Sequence, residues 1–127
     1  MTSLMKKLML ATAVVAAPMM VATTASAEGE KYILVSHAPD SDSWWNTIKN
    51  GLALAGEQMV VEVEYRNPPT GDLADMARII EQAAASGPHG IITTLSDYDV
   101  LSGPIQAAVD SGVDVIIMNS GTPDQAR

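Results

Sequence analysis

The sequence predicts an α/β fold, a parallel sheet of four strands with flanking helices in the spatial order 2-1-3-4. Short apolar runs recur every 23 to 30 residues, and the segments between them carry apolar residues at helical spacing. This recurrence is typical of βαβ units with right-handed crossovers. The runs around Leu34, Ile92 and Ile116 are apolar enough to be buried on both faces. The second run alternates with Glu62 and Glu64, which places that strand at an edge of the sheet.

The first strand and the first helix follow from an apolar run and a helical period. The run covers Tyr32 to Ser36 and ends at polar loop residues. The helix is predicted from Ser43 to Glu57 because apolar residues recur close to every 3.6 positions, at Trp45, Ile48, Leu52, Ala55 and Met59.

After Val60 the sequence predicts three more strands and two more helices. Val61, Val63 and Tyr65 alternate with glutamates, which predicts a strand with one solvent-exposed face. The remaining elements are, in order, a helix over Leu73–Ala84 that stops at Gly87, a strand over Gly90–Leu95, a short helix through Ile105, Ala108 and Val109 that ends at Gly112, and a strand over Val113–Met118 that is apolar on both faces.

The first 27 residues have the pattern of a secretory signal peptide. Two lysines give a positive start, Leu8 to Val21 is uncharged and mostly apolar, and Ala25-Ser26-Ala27 offers a small-residue cleavage site. The alternative is a membrane anchor, which needs about 20 predominantly apolar residues. Thr23 and Thr24 interrupt this segment before that length. We therefore expect cleavage after Ala27, a periplasmic location and a mature domain over residues 28–127.

The composition excludes several classes of protein. Fifteen acidic and seven basic residues give a net charge of −8, whereas nucleic acid requires clustered lysine and arginine. The absence of cysteine excludes a disulfide scaffold, a thiolate metal site, a cysteine nucleophile and a lipid anchor after the leader. An apolar fraction of 47% is too high for a disordered acidic tail. An exported, acidic globular domain is the class that fits.

Motifs of catalysis are missing from the sequence. It contains no G-x-G-x-x-G, no Walker loop, no G-x-S-x-G elbow, and no glycine-rich turn that opens a helix for phosphate. His37 and His89 are predicted at opposite ends of their strands, so they cannot share a site. One alternative stays open, a secreted flavodoxin-like enzyme domain with a metal or acid–base site formed by His37, Asp40 and Asp42. Otherwise we expect a protein that is not an enzyme and needs no cofactor.

Ligands of open parallel sheets bind beyond the carboxyl ends of the strands. Trp44 and Trp45 stand there, where the first helix begins, and the four loops at this edge carry hydroxyl, carboxylate and amide groups. A tryptophan face suits the C–H face of a sugar ring, while short polar side chains bond its hydroxyl groups. Trp45 has the helical phase to pack on the sheet. We therefore expect Trp44 to face the cleft and Trp45 to be at least partly structural.

Three polar residues at the same edge are further candidate ligand contacts. Asp42 precedes the first helix and is equally suited to bond a sugar hydroxyl or to act as a helix N-terminal charge. Asp97 and Asp99 precede the third helix, and we expect at least one of them to cap it. Asn119 follows the fourth strand, where its amide is either a ligand contact or a turn residue.

The order of these segments resembles type I periplasmic sugar-binding proteins, the ribose-binding-like components of ABC importers. The resemblance runs from about Lys31 to Gly121 and depends on three segments together. They are Ser41-Asp42-Ser43-Trp44-Trp45 followed by Gly51, then Ile80-Glu81 with Gly87 and Gly90-Ile91-Ile92, and then Asp97 to Leu101 with Ile105 to Ala108 and Gly112 to Ile116.

The resemblance implies ligand contacts at five positions, Asp42, Trp44, Trp45, Asp97 and Asn119. Asn119 falls on a binding position that is often aspartate, and the next residue is a serine where some members carry an arginine. Val60 falls where members commonly have a glycine, which easily adopts the left-handed turn that ends a helix, whereas a β-branched residue is strained there. We therefore expect either a helix that ends nearer Gly56 or a strained turn at Val60. The implied function is capture of a sugar or sugar-like polyol for delivery to the permease of an ABC importer, without chemistry.

Members of that family have two lobes that close on the ligand by a hinge. Residues 28–127 resemble an incomplete N-terminal lobe, with the second lobe missing. We therefore expect a chain that binds sugars weakly or has no independent activity. We also expect it to associate through its fourth strand, which is apolar on both faces and has no later element to cover it.

Overall fold

Four parallel strands and three helices alternate along the chain. The computed structural model describes residues 29–122 and residue 124, so the expectations for Met1 to Ala27 lie outside it. The sheet order is β2-β1-β3-β4, which confirms the predicted order. Among the described residues, no helix has both the length and the apolar character that a bilayer crossing requires. The elements are β1 (Lys31–Val35), α1 (Trp45–Met59), β2 (Glu62–Arg66), α2 (Leu73–Ala85), β3 (Gly90–Thr93), α3 (Tyr98–Asp110) and β4 (Asp114–Ile117).

The two faces of the sheet have separate apolar clusters. On one face α2 and α3 cover the central strands, and the cluster consists of buried residues that include Ile33, Val35, Met76, Ile91 and Leu101. On the other face α1 packs through Trp45 against Leu34 of β1, with Tyr65 and Ile92 partly buried beside them. Alternate residues of β1 therefore point into different clusters, as the pleat of a strand requires.

The edge strand β2 has a charged face, as its alternating sequence predicts. The Lys31 ammonium lies 3.0 Å from a carboxylate oxygen of Glu62 and 3.3 Å from one of Glu64. Arg66 binds the Glu64 carboxylate through two of its nitrogens, at 2.7 and 3.0 Å. The Arg66 guanidinium, with help from Lys31, holds the pKa of Glu64 below its ordinary value. These paired charges occupy the face of β2 that no helix covers.

The opposite edge strand, β4, differs from its prediction. Val115 and Ile117 pack against the cluster beneath α3, but Ile116 retains 64% of its exposure. The expectation that the run around Ile116 is buried on both faces is therefore wrong. The physical reason is that α1 covers the middle of its face of the sheet, through Leu34 and Ile92, and Ile116 belongs to neither cluster.

The N-termini of α2 and α3 are capped by aspartates. Asp72 and Asp97 each accept a hydrogen bond from the backbone N–H three residues later, at 2.8 and 3.1 Å, which satisfies a donor that the helix itself cannot. The expectation that at least one of Asp97 and Asp99 caps this helix is thus confirmed, and the cap is Asp97. The cap also starts α3 at Tyr98, so that helix has 13 residues rather than the short predicted segment. Pro104 lies inside it and removes one backbone donor.

Helix α1 approaches β2 closely at Gly56. A Cβ atom at this position would lie 2.7 Å from Cγ2 of Val63 and 3.2 Å from the carbonyl oxygen of Val61. Carbon atoms in contact prefer about 3.5–4.0 Å. The helix can therefore rest this close to the strand only because Gly56 has no side chain.

The end of α1 is a left-handed turn at a valine. Val60 has φ 57° and ψ 44°, and its N–H donates to the carbonyl of Gly56. Of the two expected outcomes, a helix that ends nearer Gly56 or a strained turn, the structure has the second. The left-handed conformation costs an L-residue about 1–2 kcal/mol because Cβ approaches the following carbonyl oxygen.

Replacing Val60 by glycine is expected to raise the free energy of unfolding by about 1 kcal/mol, since glycine relieves most of that strain at some cost in chain entropy. Thermal unfolding followed by circular dichroism measures the change. Met59→Gly is the matched control, because Met59 is an exposed residue in the last turn of α1, and it should lower the melting temperature. A lower melting temperature for Val60→Gly would contradict the prediction.

Candidate ligand-binding site

The carboxyl edge of the sheet is lined by loops that begin with buried hydroxyl groups. Ser36 follows β1, while Thr93 ends β3 and Thr94 follows it, and all three residues are fully buried. The Thr93 hydroxyl donates to the Val35 carbonyl at 3.0 Å. This bond joins the carboxyl ends of the adjacent strands β1 and β3. The loops that follow them therefore start side by side, in the place where open parallel sheets bind ligands.

The two tryptophans at the start of α1 have different environments. Trp45 is 3% exposed and belongs to the cluster on the α1 face, whereas Trp44 is 55% exposed. Their rings meet edge to face, with centroids 5.3 Å apart and planes at 80°, which is a favourable geometry for aromatic pairs. The burial of Trp45 fits the expectation that it is at least partly structural, and the expectation that Trp44 faces the cleft stays a prediction. Trp44 therefore offers an apolar surface of the kind that a sugar ring can stack on.

Trp45 lies among three other aromatic rings. Besides Trp44, the His37 ring meets it edge to face at 5.7 Å, and the Tyr65 ring lies tilted at 6.4 Å. The His37 Nδ1 is hydrogen-bonded to the Thr94 hydroxyl at 2.9 Å. The Trp45 indole is thus surrounded by residues from the loop after β1 and the end of β2, and the loop after β3 is bonded to them through Thr94.

Asp42 organises the loop in front of the tryptophans. Its carboxylate accepts a hydrogen bond from the Trp44 N–H at 3.1 Å, and its carbonyl accepts one from the Trp45 N–H at 3.3 Å. The helix cap position itself is Trp44, which makes no side-chain cap. Asp42 therefore forms a turn before α1 and is exposed beside the Trp44 backbone.

Asp97 and Asn119 lie on neighbouring loops of the same edge. Asp97 uses one carboxylate oxygen to cap α3. Asn119 has φ 64°, and the Ser120 N–H donates across it to the Met118 carbonyl at 2.7 Å, a tight γ-turn of a strained kind. Both side chains are exposed. Within residues 29–122 neither one forms a hydrogen bond or ring contact with the tryptophan pair.

The loop proposed as an alternative metal or acid–base site is occupied by structural bonds. The Asn67 amide donates to the Asp40 carboxylate and to the Ala38 carbonyl, each at 2.9 Å. His37 is bonded to Thr94, and His89 lies at the other end of the sheet, where it accepts from the Lys31 N–H. Over the described part of the chain, no group of histidine, aspartate and glutamate residues has a metal-binding arrangement.

A known family has this arrangement of strands, helices and loops. The family model described as periplasmic binding protein domain matches residues 32–127. The chain belongs to this family. The type I lobe architecture that the sequence resembles is thereby confirmed. No curated protein sequence matches the chain.

Several solved structures of sugar-binding proteins are similar to this member of the periplasmic binding protein family. A carbohydrate transporter from Acidothermus cellulolyticus 11B, in complex with myo-inositol, is 29% identical with a TM-score of 0.71. The sugar-binding protein of a Bacillus halodurans sugar ABC transporter is 31% identical with a TM-score of 0.69. Each alignment covers 76% of this chain and 33% of the other. The chain thus spans about a third of the length of these neighbours.

A third neighbour supports the same fold assignment. A glucose-galactose binding protein from Geobacillus stearothermophilus is 26% identical with a TM-score of 0.70, and the alignment covers 76% of this chain and 34% of that one. The similarity therefore extends over about three quarters of this chain, as it does for the other two neighbours.

Sequence reasoning missed two contributors to the site. The Tyr65 hydroxyl is hydrogen-bonded to the buried Ser36 hydroxyl at 2.6 Å, and Lys49 lies over the Tyr65 ring, 4.6 Å from its centroid. The alternation of β2 does place Tyr65 on the buried face. That signal, followed to the carboxyl end of the strand, indicates a residue beside the start of α1.

Proposed function

We propose that this chain is a lobe of an exported binding protein that captures a sugar or sugar-like polyol for the permease of an ABC importer. The ligand lies at the carboxyl edge of the sheet, and the lobe holds it without catalysing a reaction. Asp42, Trp44, Asp97 and Asn119 form the exposed part of this half of the site, and Trp45, predicted as a ligand contact but only 3% exposed, supports Trp44 from the core. Residues 1–27 act as a cleaved signal peptide, and residues 28–127 form the N-terminal lobe.

The exposure of Trp44 is the observation that carries the proposal. Trp44 retains 55% of its exposure at the end of the sheet where parallel sheets bind ligands, so its ring is accessible for stacking on a ligand. The exposed Asp42 carboxylate, which accepts the Trp44 backbone N–H, lies on the same loop. An apolar ring face with an adjacent acceptor matches the two surfaces of a sugar, its C–H face and its hydroxyl groups.

The family and its neighbours support the ligand class. Among the neighbours, one is in complex with myo-inositol, one is a glucose-galactose binding protein and one is an arabinose binding protein, and these ligands are neutral polyhydroxyl compounds. Since those proteins are about three times as long as the matched region, an opposing lobe supplies the remaining contacts and removes water from the ligand.

Replacing Trp44 by alanine is expected to weaken sugar binding by about tenfold or more, the effect of losing an aromatic anchor. Calorimetry with myo-inositol, glucose, galactose and arabinose is made on the chain and on a version extended to the length of its neighbours. We expect the extended version to bind one of them with a change in tryptophan fluorescence, and the chain alone to bind weakly or not at all.

Leu54→Ala is the matched control, since Leu54 is equally exposed on the same helix but lies away from the carboxyl edge. It should leave the affinity unchanged. Unaltered binding by the Trp44→Ala variant would refute the stacking role. Tight binding by the monomeric chain alone would refute the need for an opposing lobe.

The proposed export has a separate test. Cleavage after Ala27 removes both leader lysines, so N-terminal sequencing of the secreted protein is expected to begin at Glu28. A membrane fraction that retains Lys6 and Lys7 would contradict this expectation.

A further inference from the structure

We infer that Tyr65 is a positioning residue of the candidate site, which with Ser36 fixes the ring of Trp45 and, through it, the orientation of Trp44. The inference rests on the proposed sugar-binding role of Trp44. Its test is made without ligand, so it stands or fails separately from that role.

The contact between Tyr65 and Ser36 is the anchor of this arrangement. Ser36 is fully buried, and its hydroxyl accepts the Ala38 N–H at 3.3 Å in addition to its 2.6 Å bond with the Tyr65 hydroxyl. A buried hydroxyl with two partners has one orientation, since losing either bond leaves a polar atom unsatisfied. The Tyr65 ring is therefore fixed at both its strand end and its hydroxyl end.

Trp45 is held between fixed groups. The Tyr65 ring lies on one side at 6.4 Å and the His37 ring meets it at 5.7 Å, itself bonded to Thr94. Trp44, by contrast, has one ring contact in the described part of the chain, with Trp45. Its exposed side chain therefore takes its orientation from Trp45.

The ionisation of Tyr65 is consistent with a permanent bond. Burial raises the pKa of its phenol above the ordinary value, the hydrogen bond with Ser36 offsets part of that rise, and the carboxylates of Asp42 and Asp40 add to it. The hydroxyl thus keeps its proton at the pH of any binding measurement.

The test uses the exciton coupling between the two indoles in the full chain. Two rings 5.3 Å apart with planes at 80° produce a far-ultraviolet circular dichroism couplet whose amplitude depends on their distance and angle. Trp44→Phe gives the baseline without the couplet. Tyr65→Phe and Ser36→Ala are each expected to lose about half of the amplitude, because the edge-to-face geometry is no longer fixed. Ser36→Ala keeps the tyrosine chromophore, so a loss of couplet amplitude in this variant is due to the two indoles alone.

Tyr32→Phe is the matched control. Tyr32 lies on β1 and its hydroxyl bonds Glu30, far from the tryptophans, so this variant removes a tyrosine hydroxyl and should keep the full couplet. A couplet retained in both Tyr65→Phe and Ser36→Ala would overturn the inference, and so would an equal loss in Tyr32→Phe. Cooperative thermal unfolding checks each variant. If one variant does not fold, the other decides, and failure of both to fold would make Tyr65 a residue of general stability and overturn its positioning role.

Discussion

Replacing Trp45 by alanine is expected to lower the free energy of unfolding by about 3–5 kcal/mol, the range for a buried aromatic side chain. The side chain is 3% exposed and joins α1 to the sheet through Leu34, Tyr65 and Ile92. A domain of this size has a total stability of about 5–15 kcal/mol, so the substitution should remove a large fraction of that stability. Urea unfolding followed by circular dichroism measures the difference.

The neighbouring residue supplies the control for this prediction. Trp44→Ala removes the same side chain from an exposed position and should change the free energy of unfolding by about 0.5 kcal/mol or less, apart from its contact with Trp45. Equal destabilisation by the two substitutions would show that the division between a structural and an outward tryptophan is wrong.

The chain is expected to self-associate through β4, and Ile116→Lys is expected to weaken that association by about tenfold or more. In the described residues, β4 pairs only with β3, and Ile116 is 64% exposed beside it. An unpaired edge strand with an apolar side chain is a template for another copy. In a symmetric dimer each copy contributes Ile116 to the interface, so one substitution weakens the association free energy at two places. Light scattering across a concentration series measures the association.

Val109→Lys is the control for a general effect of charge, because Val109 is an exposed apolar residue on α3 and lies away from the sheet edge. It should leave the association unchanged. A wild-type chain that is monomeric at all concentrations would contradict the prediction, as would an equal effect of the two lysines.

The strand order could be predicted because one local pattern decided it. Glu62 and Glu64 alternate with apolar residues, and an edge strand is where a charged face avoids burial. The exposure of Ile116 could not be predicted in the same way, because an apolar run shows that a strand can be buried and does not show that a helix covers it. Which helix covers it is decided by distant residues, here by Trp45 and its partners on α1.

The candidate site was predictable as a location but not as a set of contacts. The sequence places Asp42, Trp44 and Trp45 together because they are adjacent in the chain. The bonds that organise the site join residues far apart in the chain, with a sequence separation of 29 for Ser36 and Tyr65 and of 57 for His37 and Thr94. Such pairs have no local periodicity, so only the folded chain reveals them.

The close approach at Gly56 is one of two contacts that fix the tilt of α1 on the sheet. Gly56 rests on Val63 near one end of the helix and Trp45 is inserted at the other, about 16 Å away at the rise of an α-helix. With both ends seated, the helix cannot tilt without lifting one of them. A methyl group added at Gly56 would move that end of α1 away from the sheet and tilt the end that carries Trp45. The orientation of the exposed Trp44 therefore depends in part on a residue that no ligand touches.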